Sequence, residues 1–293
     1  MSREDEIYRV TIAGGAVNVG LMLFKFMAGL LGHSAAMLAD AVHSLSDLAT
    51  DLVLLLFVRV AGKPQDLDHD YGHGKFETLA SLVIGVALLA VGLGMAMEGI
   101  HAIAGCWRGA IPERPTAIAL AAAIISLPCK EALYHYTRRA AKRLDSPALE
   151  ANAWHHRSDA LTSLTAFAGI ACAMLLGPRW RVLDPLAAVI VSLFILWMAW
   201  TLVRPCLDEL LEKSLPKEEK DRITEIVAHT PGVVAFHRLR TRRIGSRRAV
   251  EVHIKMPGEN SLTEAHNVAS AIEKRLREEF GPNAHVAIHM EPL

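Results

Sequence analysis

Histidine and aspartate stand four residues apart in two widely separated stretches of this sequence, as His43 with Asp47 and as His155 with Asp159. On an α-helix, positions i and i+4 lie on one face about one turn apart. Each stretch therefore presents an imidazole and a carboxylate in the same direction. If the two faces meet, two nitrogen and two oxygen ligands converge, a set that suits zinc and, less selectively, other divalent ions.

The elements that must position these side chains are apolar. The chain is 52% hydrophobic with a mean hydropathy of +0.27, which is high for a soluble protein of 293 residues. Six apolar runs have the roughly 17–25 residues that cross a bilayer as a helix. They are residues 10–31, 35–58, 79–103, 116–136, 160–176 and 183–203. From residue 208 the sequence becomes charged and alternating, so we predict two domains, residues 1–207 and 208–293.

Charged groups inside the spans need an explanation, since each costs about 2.5–3.5 kcal/mol at the membrane centre. Two pairs with identical spacing favour ion binding over packing. A single polar residue such as Asp40 is better explained as a packing group that hydrogen-bonds or caps a neighbouring helix. For Lys130 and Glu131 in the fourth span, the alternatives are an intramembrane pair, a proton route, or a position near the cytoplasmic end with Lys130 extended to the surface.

Basic residues in the short connections predict the orientation. With six spans, both termini share one side with the second–third and fourth–fifth connections, where most lysines and arginines lie. The opposite side carries only Arg108, Arg114, Arg179 and Arg181. The positive-inside rule then places both termini in the cytoplasm, and a bacterial cytoplasmic (inner) membrane is the expected location. A formal net charge of zero argues against a nucleic-acid partner.

The C-terminal residues indicate the order helix, strand, strand, helix, strand. The stretches "AVEVHIKM" and "HVAIHM" alternate as strands do. Between them, Ser261 and Glu264 form a capping-box signature before an amphipathic helix. We therefore predict a six-helix membrane domain followed by a cytoplasmic α/β domain of the ferredoxin-like αββαβ kind.

Together these motifs resemble the cation diffusion facilitator family of divalent-metal/proton antiporters over nearly the whole chain. The matching stretches are "HSAAMLADAVHSLSD", "DLDHDYGHGKFE", "SPALEANAWHHRSDALTS" and, in the C-terminal part, "PGVVAFHRLRTRRIG", "VEVHIKM", "EAHNVASAIE" and "HVAIHMEP". The resemblance implies a homodimer in a lipid membrane. It also implies that each protomer alternates between an inward-open and an outward-open form.

The resemblance assigns the transport site to His43, Asp47, His155 and Asp159. Some zinc and cadmium transporters of the family have aspartate at the first of these positions. A set of two paired histidines and aspartates is associated in the family with a preference for zinc over cadmium.

Three further groups follow from the same resemblance. A loop metal site falls on Asp66, His69 and His73, although a solvated loop can have the same composition. A charge interlock falls on Lys75 and Glu212, for which an ordinary surface pair is the alternative. A binuclear cytoplasmic zinc site, structural or regulatory, falls on His237, His253, His266, His289 and Glu291, and the family more often has aspartate at the last position.

These residues predict proton-coupled export of a divalent metal, with zinc as the ion and protons as the counter-ion. Metal binding needs neutral imidazoles and carboxylates, so it releases protons, and histidine titrates near neutral pH. A metalloenzyme is disfavoured because four ligands leave no open position and no H-E-x-x-H motif occurs. The alternatives are a non-transporting metal sensor or assembly scaffold, and a transporter of Fe²⁺, Mn²⁺, Co²⁺ or Cd²⁺.

Overall fold

The computed structural model describes residues 3–61, 63, 65–144, 147–245 and 247–293, except for the side chains of residues 3–8, 50–61, 147–148 and 150–151. Six long helices come first: α1 (Arg3–Leu31), α2 (Ala35–Ala61), α3 (Lys75–Trp107), α4 (Ala117–Leu144), α5 (Pro147–Leu175) and α6 (Leu183–Leu210). The predicted architecture of six membrane helices before a small α/β domain is confirmed.

Length and hydropathy single out five membrane-spanning segments within the described part of the chain. They are Arg9–Leu31, Lys75–Trp107, Ala117–Leu144, Asn152–Leu175 and Pro178–Leu210. The sixth long helix is α2, and some of its side chains lie outside the described residues. The fifth helix begins at Pro147, earlier than the apolar run at residue 160, because "HHRSD" continues the helix despite its charge.

The chain forms two compact units by contact, Met1–Leu52 with Ile84–Thr201, and Val53–Val83 with Leu202–Leu293. The second unit therefore contains the last residues of α2, the first residues of α3 and the last residues of α6 as well as the C-terminal residues. The boundary between residues 207 and 208 stays a prediction.

In the first unit, small residues bring the helices together. The largest buried cluster contains alanines of α1, α2, α4, α5 and α6 together with Met37 and Ile170. Small side chains allow the close helix contacts on which packing depends in a membrane, where the hydrophobic effect does not act between helices. Among the described residues, α4 and α5 pack against each other over much of their length.

The first turn of α2 is held by a carboxylate from α6. Asp184 accepts a hydrogen bond from the Ser34 hydroxyl at 2.6 Å and from the Ala35 backbone N–H at 2.8 Å. The Ser34 hydroxyl in turn accepts from the Met37 N–H at 3.1 Å. These bonds satisfy N–H groups that the first turn leaves unpaired. They hold the start of α2, the helix that carries His43 and Asp47, at Asp184 of α6.

The second unit contains the predicted αββαβ order: α7 (Lys217–Ala228), β1 (Ala235–Ile244), β2 (Arg247–Met256), α8 (Leu262–Phe280) and β3 (His285–Pro292). Strand β2 is central, antiparallel to β1 and parallel to β3. The predicted capping box is confirmed, because Ser261 Oγ accepts from the Glu264 N–H while the Glu264 side chain accepts from the Ser261 N–H.

Alternation along β2 separates a core face from an open face. Val250, Val252 and Ile254 are buried in one cluster with Ile223 of α7 and Ile272 of α8. Since successive strand residues point to opposite faces, the side chains between them lie on the face away from both helices. That open face carries His253 of β2, next to its strand partners His237 and His289.

Candidate metal centres

Three of the four predicted transport ligands come together between α2 and α5. His43, Asp47 and Asp159 each offer one ligand atom, and these atoms lie within 4.8 Å of one another. His155 lies at the edge of the group, with its side chain 44% exposed. Its Nδ1 is 3.8 Å from an Asp159 oxygen, and its Nε2 is 4.0 Å from an Asp47 oxygen. The imidazole thus lies beside both carboxylates without joining the group.

Polar atoms without a hydrogen-bond partner occur in this group, as they do at the neighbouring His156. Both carboxylate oxygens of Asp47 and Nδ1 of His43 are buried, and none has a hydrogen-bond partner among the described residues. A buried polar atom without a partner is destabilising by about 1–3 kcal/mol, more if charged, so such atoms are rare in native proteins. Together with His155 and Asp159, these residues offer two histidine nitrogens and two aspartate oxygens, which are ligand types that suit a divalent cation such as zinc.

The carboxylate of Asp159 already contacts a cation from the protein. Lys130 Nζ of α4 lies 2.7 Å from Asp159 Oδ2, and both side chains are almost fully buried. The structure contradicts both the pair with Glu131 and the extension of Lys130 to the surface. Glu131 is instead partly exposed and lies 3.3 Å from His135. A proton route through Lys130 stays a prediction.

A second buried ion pair lies one turn along α2 from the cluster. Lys25 Nζ of α1 is 2.7 Å from Asp40 Oδ2, and both side chains are at most 1% exposed. Lys25 also donates to Ser163 at 2.9 Å and to Ser44 at 3.3 Å, and Ser163 donates to Asp40 at 3.0 Å. Asp40 thus hydrogen-bonds a neighbouring helix, as expected of a packing group.

Lys25 is the residue of this network that the sequence analysis missed. Its signal is a lone cation in the apolar run "LMLFKFMAGL". A charge in such a run has a buried partner or a polar cavity as its usual explanation.

The predicted loop ligands also converge. Asp66 lies 3.3 Å from His69 Nδ1 and 3.3 Å from His73 Nε2, and all three offer atoms within 4.8 Å. Partial loss of hydration raises the pKa of Asp66, but hydrogen bonds from the Asp68 and His69 N–H groups outweigh it and leave the pKa lowered. The carboxylate is therefore ionised at neutral pH, as a metal ligand must be.

Two glycines hold this loop against the hairpin of β1 and β2. A Cβ on Gly74 would lie 2.8 Å from the Ile244 carbonyl oxygen, and one on Gly245 would lie 2.7 Å from the Gly74 oxygen. These separations are too short for any side chain. Gly72 has φ +74°, in the left-handed region that favours glycine. The backbone conformation of residues 72–74 thus requires glycine at positions 72, 74 and 245.

The predicted interlock pair lies beside this contact. Lys75 Nζ is 2.5 Å from Glu212 Oε1, and the other oxygen of Glu212 is 3.1 Å from Arg242 Nε. Arg242 Nη1 also lies 3.3 Å from Glu251 Oε1. The lysine is 37% exposed and the glutamate 47%, so solvent screens the pair.

We expect the Lys75–Glu212 pair to contribute less than about 1 kcal/mol of coupling energy, because exposed ion pairs rarely contribute more. A double-mutant cycle with Lys75→Met and Glu212→Gln, measured by thermal unfolding of the full chain, gives this energy. Coupling well above that value would mean that Glu212, Arg242 and Lys75 act as one network.

In the C-terminal domain, strand register aligns three histidines. His237 of β1 lies opposite His253 of β2, and His253 pairs with His289 of β3. The ring centroids are 5.3 Å apart for the first pair and 4.6 Å for the second. Side chains at paired positions of neighbouring strands are adjacent on one face, so the sheet itself produces this row.

Glu291 joins the row from the next outward position of β3. Its carboxylate lies 2.7 Å from His253 Nδ1, 3.4 Å from His237 Nε2 and 3.6 Å from His289 Nε2. The longer side chain that replaces the aspartate usual in the family therefore reaches all three imidazoles. The structure does not bring His266 to this group: it is exposed on α8 and contacts Ser270.

Replacement of Glu291 by glutamine is expected to weaken zinc binding by the full-length protein at least about tenfold. The hydrogen bond from His253 lowers the pKa of Glu291, so the carboxylate stays ionised well below neutral pH. Between about pH 7.5 and pH 5.5, affinity should therefore fall only as imidazoles take up protons. A zinc titration at several pH values checks both effects.

His266→Ala is the matched control for that titration, since His266 lies outside the cluster within this chain. An equal loss of affinity in His266→Ala and Glu291→Gln would contradict the assignment of the site to one protomer's sheet.

Two family models and several known proteins match this chain. Residues 11–211 match the family model of the cation efflux transmembrane domain, and residues 215–293 match that of the cation efflux protein, cytoplasmic domain. The chain is 35% identical to metal tolerance protein C1 of Arabidopsis thaliana over 300 residues, which cover 98% of this chain and 62% of that protein. It thus spans less than two thirds of that plant relative.

Other relatives match almost end to end. The manganese efflux system protein MneP of Bacillus subtilis is 31% identical over 294 residues, 99% of this chain and 97% of that protein. The cation-efflux pump FieF of Escherichia coli O127:H6 is 31% identical over 286 residues, 98% of this chain and 93% of that protein. Among solved structures, that of the putative zinc transporter CzrB is 33% identical with a TM-score of 0.26. The match covers 27% of this chain and 98% of the CzrB chain.

The two family models together span nearly all of the chain, and its apolar helices bring together nitrogen and oxygen atoms of the kind that bind metal ions. The chain belongs to the cation diffusion facilitator family, and is a multi-pass membrane transporter for the efflux of divalent metal cations rather than an enzyme.

Proposed function

We propose that this protein exports zinc in exchange for protons, by alternating exposure of a site formed by His43, Asp47, His155 and Asp159. The observation that carries the proposal is the pair of buried Asp47 oxygens without a hydrogen-bond partner among the described residues, one of which lies within 4.8 Å of ligand atoms of His43 and Asp159. Two ionised carboxylates balance the charge of a divalent ion, which lowers the free energy of holding it inside a membrane.

The donor set supports zinc as the ion. Two imidazoles and two carboxylates suit zinc, whereas manganese favours sites built from oxygen ligands. The relative MneP is named for manganese efflux, so manganese is the competitor to test first. Iron, cobalt and cadmium are the remaining alternatives.

Proton exchange follows from the same ligands. Zinc binds only the deprotonated forms of histidine and aspartate, so loading releases protons and unloading takes them up. Histidine has an ordinary pKa of about 6.5, which makes this competition effective near neutral pH. A site exposed in turn to two compartments would therefore move protons against metal.

The remaining parts of the proposal concern location and assembly. The excess of lysine and arginine in the connections on one side supports an orientation with both termini in the cytoplasm. A bacterial inner membrane is the proposed location. The C-terminal domain, with its row of histidines and Glu291, is proposed to bind zinc as a structural or regulatory ion and to form a homodimer. The match to the family's cytoplasmic domain supports that role.

Flux into proteoliposomes with an imposed pH gradient tests the function. Purified protein would be compared for Zn²⁺, Mn²⁺, Fe²⁺ and Cd²⁺ with the gradient present and collapsed by a protonophore. Zinc flux that exceeds the others and disappears with the gradient is expected. Manganese flux above zinc flux would overturn the choice of ion. No metal flux from a folded dimer that still binds zinc would favour the sensor or scaffold function.

A further inference from the structure

We propose that Lys130 is an internal cation that competes with the transported metal for Asp159. Its ammonium group contacts one oxygen of this ligand, and we expect metal binding to displace it. The inference rests on the proposed transport site. It adds a positioning residue that sets how tightly the site holds its ion.

The carboxylate of Asp159 contacts Lys130 and also belongs to the group of candidate metal ligands. Asp159 Oδ2 accepts from Lys130 Nζ at 2.7 Å, a charge-assisted hydrogen bond of full strength. The same residue belongs to the ligand group with His43 and Asp47, and its Oδ1 faces the imidazole of His155. A cation that coordinates Asp159 must therefore either share it with the lysine or replace it.

The other buried lysine of this unit shows what a structural pair looks like. Lys25 and Asp40 are as deeply buried, but Ser44 and Ser163 complete their hydrogen bonds, and Asp40 is not part of the ligand cluster. No hydroxyl contact to the Lys130 ammonium group is found among the described residues, and its partner is a ligand. The two lysines have the same chemistry and burial, so they differ in their hydroxyl contacts and in the identity of the carboxylate.

The charge count gives the consequence. Asp47 and Asp159 supply two negative charges and Lys130 one positive charge, so the empty site is left with one negative charge. A divalent ion turns this into one positive charge, whereas without the lysine the loaded site would be neutral. Since a like charge within a few ångströms opposes a bound cation, Lys130 weakens binding and favours release. Asp159 regains a partner when the metal leaves, so the empty site holds one unpaired carboxylate, not two.

Lys130→Met removes the charge with little change in the volume of the side chain. We expect the variant to bind zinc about tenfold more tightly, the size of effect that a neighbouring charge has on other protein equilibria. Its KM for zinc in proteoliposomes should fall in parallel, and its kcat should fall because release is slower. Equilibrium binding would be measured by chelator competition on the full-length protein, with Asp47→Asn marking the signal of the transport site.

Two variants serve as matched controls. Lys130→Arg keeps a positive charge at Asp159 and should therefore bind zinc more weakly than Lys130→Met does. Lys25→Met removes an equally buried lysine that contacts no ligand, and should lose stability without tightening zinc binding. Tighter binding in Lys25→Met as well would show a general effect of net charge and would overturn the specific role of Lys130.

Unchanged zinc affinity in a folded Lys130→Met variant would overturn the proposal. If that variant does not fold, a structure of the zinc-loaded wild-type protein decides, because the lysine must then lie beyond hydrogen-bond distance of Asp159. Retention of the contact beside a bound ion would contradict displacement. Absence of flux in the wild type would refute transport, whereas the binding comparison would still test the competition.

Discussion

Asp47→Asn is expected to reduce zinc flux by at least about 100-fold, at the upper end of what the loss of a supporting residue around a metal produces. The substitution keeps the shape of the side chain and removes one charge. Asp47 has no ion-pair contact with a lysine or arginine in the described structure, and its two oxygens are buried without hydrogen bonds. Asparagine therefore removes a ligand without leaving a buried lysine unpaired, and the helices should stay folded. Flux in proteoliposomes, normalised to folded protein, is the measurement.

Asp208→Asn is the control, because Asp208 is an exposed aspartate that pairs with Lys213 and contacts no ligand. Its flux should equal that of the wild type. Wild-type flux in Asp47→Asn would remove Asp47 from the transport site and, with it, the main support for that site. Loss of flux together with loss of the folded peak in size-exclusion chromatography would point instead to a structural role for Asp47.

Lys25→Met is expected to lower the free energy of unfolding by about 3–5 kcal/mol, the range found when one partner of a buried ion pair is removed. Asp40 would keep its hydrogen bond from Ser163 but lose the only cation within 4.0 Å among the described residues. An uncompensated carboxylate between α1, α2 and α5 is costly because a membrane interior offers little water to hydrate it. Thermal unfolding in detergent, or equilibrium unfolding in mixed micelles, gives the change.

The double variant Lys25→Met with Asp40→Asn should recover most of that loss, because removal of both charges leaves none uncompensated. The exposed pair of Lys213 and Asp208 is the comparison: Lys213→Met should cost less than about 1 kcal/mol. Equal effects at Lys25 and Lys213 would mean that the first pair is hydrated in the protein. A double variant no more stable than Lys25→Met would mean that Asp40 depends on Lys25 for shape rather than charge.

Local sequence patterns were sufficient for the architecture. Apolar run length indicates a membrane helix because the bilayer thickness sets it, and alternation indicates β2 and β3 because strand side chains point to opposite faces. The helix boundaries were less accurate: α5 begins at Pro147, since a charged segment such as "HHRSD" gives no apolar signal. The capping box could be predicted because its two residues, Ser261 and Glu264, are only three positions apart in the sequence.

The sequence by itself determined that two His–Asp pairs occupy membrane helices, because an interval of four residues is a property of one helix. The partners of the buried charges were decided only by the tertiary structure. Lys130 meets Asp159 across 29 residues, and Lys25 meets Ser163 across 138. Such contacts depend on which helices are neighbours and on their rotation. The packing of many small side chains fixes these features, and no local pattern encodes them.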